Sequence, residues 1–232
     1  MTNVEPFAIL KFYTLIEITM SKYIAVHLWG DSILDNVSYV SDASECVTAS
    51  LQALLNKRVP TMPPAVRNCA VDGFVTQDFV EKIKDFPKQD SAVAAVLSIG
   101  GNNALQFAHR LDEPSLTIAH ALAMLAEDMR RFQIEYDEAL DALLRIYALT
   151  DVAVCTIYDT IPNIPGIVGD AERQGLALFN DIIVKSAHKR QIKIIDLRSK
   201  FTPECYSEMS PIEPSAIGSG VIATMIADNF NI

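Results

Sequence analysis

Five short apolar runs recur along the chain, and polar or turn-forming residues bound each of them. The runs are continuous and do not alternate with polar residues, which is typical of strands buried on both faces of a sheet. The pattern predicts strands over residues 23–29, 65–71, 92–99, 152–158 and 192–197.

Helical periodicity occupies the segments between these runs. Ser41 and Asp42 are candidate caps for a first helix, Thr76 for a second, Ser115 opens a long region that forms one helix or two, and Pro214 opens the last. The predicted helices span residues 43–58, 77–86, 116–149, 171–190 and 215–228.

Strands that alternate with helices indicate a parallel sheet covered on both faces. We therefore predict an α/β fold with three layers, α/β/α, around a five-stranded parallel sheet of flavodoxin-like order 2-1-3-4-5. A chain of 232 residues is long enough for one substantial core. We assign residues 21–232 to this domain.

Residues 1–20 form a predicted N-terminal extension. The segment is partly apolar but contains Glu5, Lys11 and Glu17, so it is a poor secretory signal and a poor membrane span. It is either an added helix packed on the domain or a stretch upstream of a true start at Met20, and the second is favoured. A cytoplasmic location is the resulting prediction.

The composition limits the classes of partner that the protein is expected to bind. Half of the residues are apolar, the net charge is -10 and the pI is about 4.8. An acidic surface repels nucleic-acid phosphates and anionic lipid, which leaves a small molecule as the expected partner. The four cysteines lack metal-ligand or redox spacing, so we expect free thiols in a reducing compartment, and no metal or other cofactor. No oligomeric state is favoured.

Turn-forming and polar residues follow each predicted strand. The five segments read GDSIL, AVDGF, SIGGNNAL, IYDTIPNIPG and SPIEPSAIG in chain order. The carboxyl ends of parallel strands meet at one edge of a sheet, where α/β proteins bind their ligands. The sequence thus predicts a single site built from these loops.

These segments resemble the conserved blocks of the SGNH hydrolase superfamily, also called the GDSL esterase and lipase family. GDSIL is similar to the block with the nucleophilic serine, and Gly73 to the second block. GGNN is similar to the G-x-N-D block, with Asn103 in place of aspartate, and PIEPSAIG lies where D-x-x-H-P-S belongs. The resemblance spans residues 22 to 230 and implies hydrolysis of a carboxylic ester.

The chemistry of ester cleavage fits these residues. Ser32 is the candidate nucleophile, at a strand end where Gly30 allows a tight turn. Candidate oxyanion donors are the backbone N–H groups of Ser32 and Gly73 and the carboxamide of Asn102, each worth about 3 kcal/mol in such sites. Expected supporting residues are Asp31, Gly101, Asn103 and Ser210. Taken alone, each of these motifs is as typical of an ordinary turn or helix cap as of a catalytic site.

The histidine that the family pattern uses as base is missing. Glu213 stands at its position and Ser210 at the position of its aspartate partner, while the four histidines are expected to be structural or solvated. In one interpretation Glu213 is the base, with a pKa raised by burial, and Ser210 avoids a like-charge pair and donates a hydrogen bond. Alternatively, the protein is catalytically impaired and binds a small polar or acylated ligand, or Glu213 serves only as a helix cap beside Pro214. The favoured prediction is an ester hydrolase, with activity weakened by the loss of the Asp–His pair.

Overall fold

The structure is a computed structural model, and it describes residues 21–90, 92–108, 113–115, 117–159 and 166–232, except the side chains of 166–168. The predicted extension over residues 1–20 lies outside the described residues.

The five strands form one parallel sheet of order β2-β1-β3-β4-β5. This confirms the predicted order. Each strand begins close to its predicted start, but four of them end earlier, because the last apolar residues of each run leave the ladder and enter the loops. The strands are β1 (Ala25–Gly30), β2 (Ala65–Asn68), β3 (Val93–Ser98), β4 (Val152–Cys155) and β5 (Lys193–Ile195).

Six α-helices occur in the described residues. They are α1 (Val47–Arg58), α2 (Thr76–Ile83), α3 (Gly101–Ala108), α4 (Ile118–Ile146), α5 (Gly166–Arg190) and α6 (Ala216–Phe230). Helix α1 packs on α6, while α4 packs on α2 and α5, which forms the two helical layers of the predicted α/β/α arrangement.

The predicted helix starts need correction. The long region is one helix, and it is capped by Thr117, whose side chain accepts the N–H of His120, not by Ser115. Thr76 is the first residue of α2 and follows its cap. Asp42 caps a separate 3-10 turn ahead of α1. At α4 two hydroxyl residues stand near the start, and the sequence does not say which one keeps an extended backbone. Helices α1 and α2 begin after Cys46 and Val75, which are not residues typical of helix caps.

Helix α3 was not predicted, because the sequence Gly-Gly-Asn-Asn at its start has poor intrinsic helix propensity. Gly100, just before it, has φ +118°, and a Cβ there would lie 3.0 Å from Cζ of Phe132. The chain therefore turns sharply after β3 under a packed aromatic ring. Packing, rather than propensity, places this helix.

Gly30 ends β1 for a steric reason. Its φ is +131°, and an added Cβ would lie 1.6 Å from the carbonyl oxygen of Ser98 on β3. The next N–H, that of Asp31, donates to this same oxygen at 3.0 Å. Glycine thus lets the neighbouring backbone approach at the point where the chain turns toward Ser32.

A buried aromatic cluster anchors the middle of β1. The hydroxyl of Tyr147 accepts the indole N–H of Trp29 at 2.8 Å and lies 2.7 Å from Nδ1 of His27. Burial lowers the pKa of His27 to about 4, so its ring is neutral near pH 7. The expectation that His27 is structural agrees with these contacts.

The cysteine side chains are free, and three of the four are buried. None of the helices in the described part of the chain combines the length and the apolar character needed to cross a bilayer.

Candidate active site

A cavity of about 130 Å³ opens at the carboxyl edge of the sheet. Its lining includes Asp31, Ser32, Gly101, Asn102 and Glu213, which come from three of the predicted loops. The structure therefore brings most of the predicted site residues to one place. Gly73, Asn103 and Ser210 do not line this cavity.

Ser32 lies in the turn that follows Gly30. The carbonyl of Asp31 accepts the N–H groups of Leu34 and Asp35, so the chain begins a helical turn without a full helix. Ser32 itself is only 6% exposed. Its side chain lies near Glu213, whose pKa it lowers.

Glu213 is 5% exposed, and burial raises its pKa to about 7. The hydrogen bond from Ser32 opposes this rise, while the nearby charge of Asp72 adds to it. A carboxyl group of this kind exchanges its proton near neutral pH, which an exposed glutamate does not do.

Asp31 is the most deeply buried group of the site. Its Oδ1 accepts the N–H of Ile33 at 3.2 Å, and Gly101 approaches so closely that an added Cβ would lie 3.4 Å from its Oδ2. Burial, with a smaller contribution from the charge of Glu213, raises the pKa of Asp31 to about 7.

The loop after β2 runs beside the turn of Ser32, since the N–H of Val71 donates to the carbonyl of Gly30 at 3.0 Å. Asn102 ties this loop to α3, because its Nδ2 donates to the carbonyl of Phe74 at 3.0 Å. Gly73 has φ +85° and is exposed at the tip of the same loop. One of the two N–H bonds of the Asn102 carboxamide remains for the cavity.

Asn103 faces the opposite way from Asn102. Its Oδ1 accepts the N–H of Thr76, and its Nδ2 donates to the hydroxyl of Thr76 at 3.0 Å and to Oε2 of Glu135 at 3.3 Å. It therefore supports the site by fixing α3 against α2 and α4. An aspartate here would bring a second negative charge against Glu135.

Ser210 meets Glu213 through the backbone. The N–H of Glu213 donates to the carbonyl of Ser210 at 3.2 Å, which closes a turn. The contact expected in the sequence analysis, a hydrogen bond from the Ser210 hydroxyl to the Glu213 carboxylate, is not among the influences on the pKa of Glu213. What Ser210 supplies is a neutral side chain near a buried carboxylate.

Two residues that the sequence analysis missed hold the loop of Glu213. Asn36 is 0% exposed, and its Nδ2 donates to the carbonyl of Pro214 at 3.1 Å and to Oγ of Ser219 at 2.7 Å. Its Oδ1 accepts the N–H of Val47 at the start of α1. The hydroxyl of Tyr158 donates to the carbonyl of Ile212 at 2.6 Å. Asn36 stands among other polar residues such as Asp35 and Ser38, so the sequence gives no distinct signal for it.

None of the histidines in the described residues lines the cavity. His120 lies in the first turn of α4 and His188 in the last turn of α5, both exposed, while His109 lies outside the described residues. Among the described residues, no group of three or more His, Cys, Asp or Glu side chains is arranged to hold a metal ion.

The chain matches one family of known proteins. The model of the GDSL-like lipase/acylhydrolase family matches residues 28–218. No curated protein matches the chain.

Solved structures share the fold at low sequence identity. An α/β hydrolase from the metagenome of Lake Arreo, Spain, has a TM-score of 0.66 and 16% identity, covering 92% of this chain and 98% of that one. An acetyl xylan esterase has a TM-score of 0.63 and 18% identity, with 88% and 98% covered. A phospholipase A1 from Streptomyces albidoflavus has a TM-score of 0.61 and 18% identity, with 89% and 99% covered. The family match spans most of the chain, and the protein belongs to the GDSL-like lipase/acylhydrolase family.

Proposed function

We propose that this protein hydrolyses carboxylic esters of small substrates, with Ser32 as the nucleophile and Glu213 as the base. The observation that carries the proposal is that the side chains of Ser32 and Glu213, both largely buried, line one cavity and that Ser32 influences the pKa of Glu213 there. Family membership supports ester hydrolysis in general. Ser32 stands where the family pattern has its nucleophile, whereas a glutamate at position 213 departs from that pattern.

The basicity of Glu213 supports its role. An ordinary glutamate is too weak a base, but burial raises the pKa of Glu213 to about 7. This is close to the value of about 6.5 for an unperturbed histidine. Burial thus gives the carboxylate the proton affinity that the family pattern obtains from an imidazole.

The charge balance explains why no aspartate partner is needed. A histidine base becomes a cation when it accepts a proton, and a nearby aspartate stabilises that cation. Glu213 instead becomes neutral, so an additional negative charge at position 210 would only repel the reactive form. The neutral Ser210 fits this requirement.

Asp31 limits the negative charge beside Ser32. Burial and the charge of Glu213 raise the pKa of Asp31 to about 7, so ionisation of both carboxyl groups at once is disfavoured. When Glu213 is ionised, its negative charge passes to the substrate oxygen during attack.

The oxyanion that forms needs N–H donors. The backbone N–H of Ser32 and the free N–H of the Asn102 carboxamide are the best supported, because both residues line the cavity. The backbone N–H of Gly73 is the third candidate, from the loop that Asn102 ties to α3. Such donors are each worth about 3 kcal/mol.

The reaction follows two half-steps. Oγ of Ser32 attacks the ester carbon while Glu213 takes the hydroxyl proton, and the tetrahedral adduct then expels the alcohol oxygen, which receives that proton from Glu213. Water attacks the acyl-serine next, giving its proton to Glu213. The bond between carbon and Oγ breaks, and Ser32 recovers the proton as the carboxylic acid leaves.

The test is turnover of a short-chain aryl ester. Ser32→Ala removes the nucleophile and should lower kcat/KM more than about a thousandfold. The exposed Ser38, in the following turn, provides the matched control Ser38→Ala, which should keep wild-type activity. Equal turnover by wild type and Ser32→Ala would reject the mechanism. A wild type that binds the ester without cleaving it would favour the ligand-binding alternative.

A further inference from the structure

The cavity changes character away from Ser32. Near the serine its lining is polar, with Asn102, Asp31 and Glu213. Between α3 and α5 the lining becomes apolar. The apolar wall consists of Leu105, Phe107, Ala108, Ile157, Leu176 and Phe179.

The apolar wall is closely packed at its far side. The rings of Phe107 and Phe179 lie with their centroids 6.0 Å apart. Gly175 faces them, and an added Cβ there would lie 3.5 Å from Cε1 of Phe107. Phe179 and Leu176 are almost fully buried. Aromatic rings therefore form one side of the space beyond Ser32.

We infer that this apolar wall binds the acyl chain of the substrate, and that the preferred acyl group contains roughly four to six carbons. The inference rests on the proposed function, because it takes Ser32 as the point where the acyl carbon is held. An apolar cavity of about 150 Å³ accommodates the six carbons of benzene. The cavity found here has about 130 Å³ including its polar end beside Ser32, so on the same basis it accommodates an acyl group of roughly five carbons, counted with its carbonyl carbon.

The charges of the lining exclude anionic acyl groups. Three acidic side chains, those of Asp31, Glu172 and Glu213, line the cavity, and the described lining contains no basic one. A carboxylate at the end of the acyl chain would meet this negative field and an apolar wall together. The acyl chain is therefore a neutral hydrocarbon.

An acetyl group would leave most of this wall unused. Each methylene that enters an apolar site contributes about 0.8 kcal/mol, which is roughly a fourfold gain in kcat/KM. The wall therefore distinguishes this protein from an enzyme built for acetyl esters. A chain much longer than the cavity gains nothing further.

The first experiment measures kcat/KM for p-nitrophenyl esters from acetate to decanoate, each below its micelle concentration. The value should rise roughly fourfold per added carbon from acetate to about hexanoate and then stop rising. A maximum at acetate, or a continuous rise to decanoate, would overturn the inference. So would equal turnover of hexanoate and of a hexanedioate monoester.

Two variants test whether the acyl chain of the substrate lies against the apolar wall. Leu176→Ala enlarges the wall and should move the maximum to longer esters, while Ala104→Leu, at another lining position, should move it toward acetate. The matched control is Leu178→Ala, which alters a more exposed leucine of α5 outside this cavity and should leave the profile unchanged. Thermal unfolding confirms that each variant is folded, and the wild-type series decides the question if one is not.

The two proposals fail separately. If Ser32→Ala retains activity, the proposed function fails. If hydrolysis depends on Ser32 but Leu176→Ala and Leu178→Ala give the same chain-length profile as wild type, the proposed function stands and the assignment of the apolar wall fails.

Discussion

Glu213→Gln should raise the stability of the protein relative to wild type, and this gain should grow as the pH rises. The same substitution removes a residue from the proposed mechanism. The pKa of Glu213 is raised from 4.5 to about 7 in the folded state. Between these values the unfolded chain releases the proton and the folded chain retains it. The folded wild type binds more protons, so its stability falls with rising pH across this window.

The size of the effect follows from the two pKa values. The interval from 4.5 to about 7, at about 1.4 kcal/mol per pH unit, gives up to about 3 kcal/mol above pH 7. Glutamine carries no proton to lose and avoids this cost. Its neutrality also removes the repulsion that raises the pKa of Asp31, which acts in the same direction. His27 titrates with the opposite sign, but it is present in both proteins and cancels in their difference.

The assay is urea unfolding of wild type and Glu213→Gln at pH 5 and pH 8. The stability of the variant relative to wild type should increase by roughly 2 to 3 kcal/mol between these pH values. The difference in unfolding free energy between variant and wild type is taken at each pH. Subtracting the value at pH 5 from that at pH 8 removes any effect of altered packing that does not depend on pH. Glu208→Gln, an exposed glutamate of the same loop region, should show little such increase. A difference that is constant with pH would refute the buried, proton-retaining state of Glu213.

The same variant has a kinetic counterpart. The kcat/KM of wild type should rise with pH and level off above about 7, because Glu213 must be ionised to accept the serine proton. Glu213→Gln should lose about a hundredfold or more in kcat/KM. A variant that is more stable at pH 8 and still fully active would retain the electrostatic argument and remove Glu213 from catalysis.

Two supporting asparagines give further predictions. Asn36→Ala leaves the carbonyl of Pro214 and the N–H of Val47 without their partner. It should lower the free energy of unfolding by about 3 kcal/mol and kcat/KM roughly tenfold. The exposed Asn56→Ala is the matched control, and equal losses in both variants would contradict the positioning of the Glu213 loop by Asn36. Asn103→Asp restores the residue of the family pattern but places a negative charge against Glu135. It should lower the free energy of unfolding, measured in urea at pH 8, by about 1 to 2 kcal/mol. A gain in stability would contradict this prediction.

The sequence alone determined the sheet and the position of the site. Apolar runs such as residues 93–98 have no alternation because both faces of the strand are buried, and this pattern is readable without coordinates. The alternation of strands and helices then fixed the parallel order and the edge where the loops meet. The sequence places Ser32, Asn102 and Glu213 at this edge because each follows a predicted strand or opens the last helix.

Tertiary structure decided the properties that depend on distant parts of the chain. Helix α3 forms against its local propensity because Phe132 packs over its start. Asn103 faces Glu135, 32 residues away, and Asn36 contacts the loop of Glu213 from 178 residues away, so neither role is visible in a local pattern. The proton affinity of Glu213 follows the same rule. It is set by burial, and burial depends on how the loops close around the side chain rather than on the residue itself.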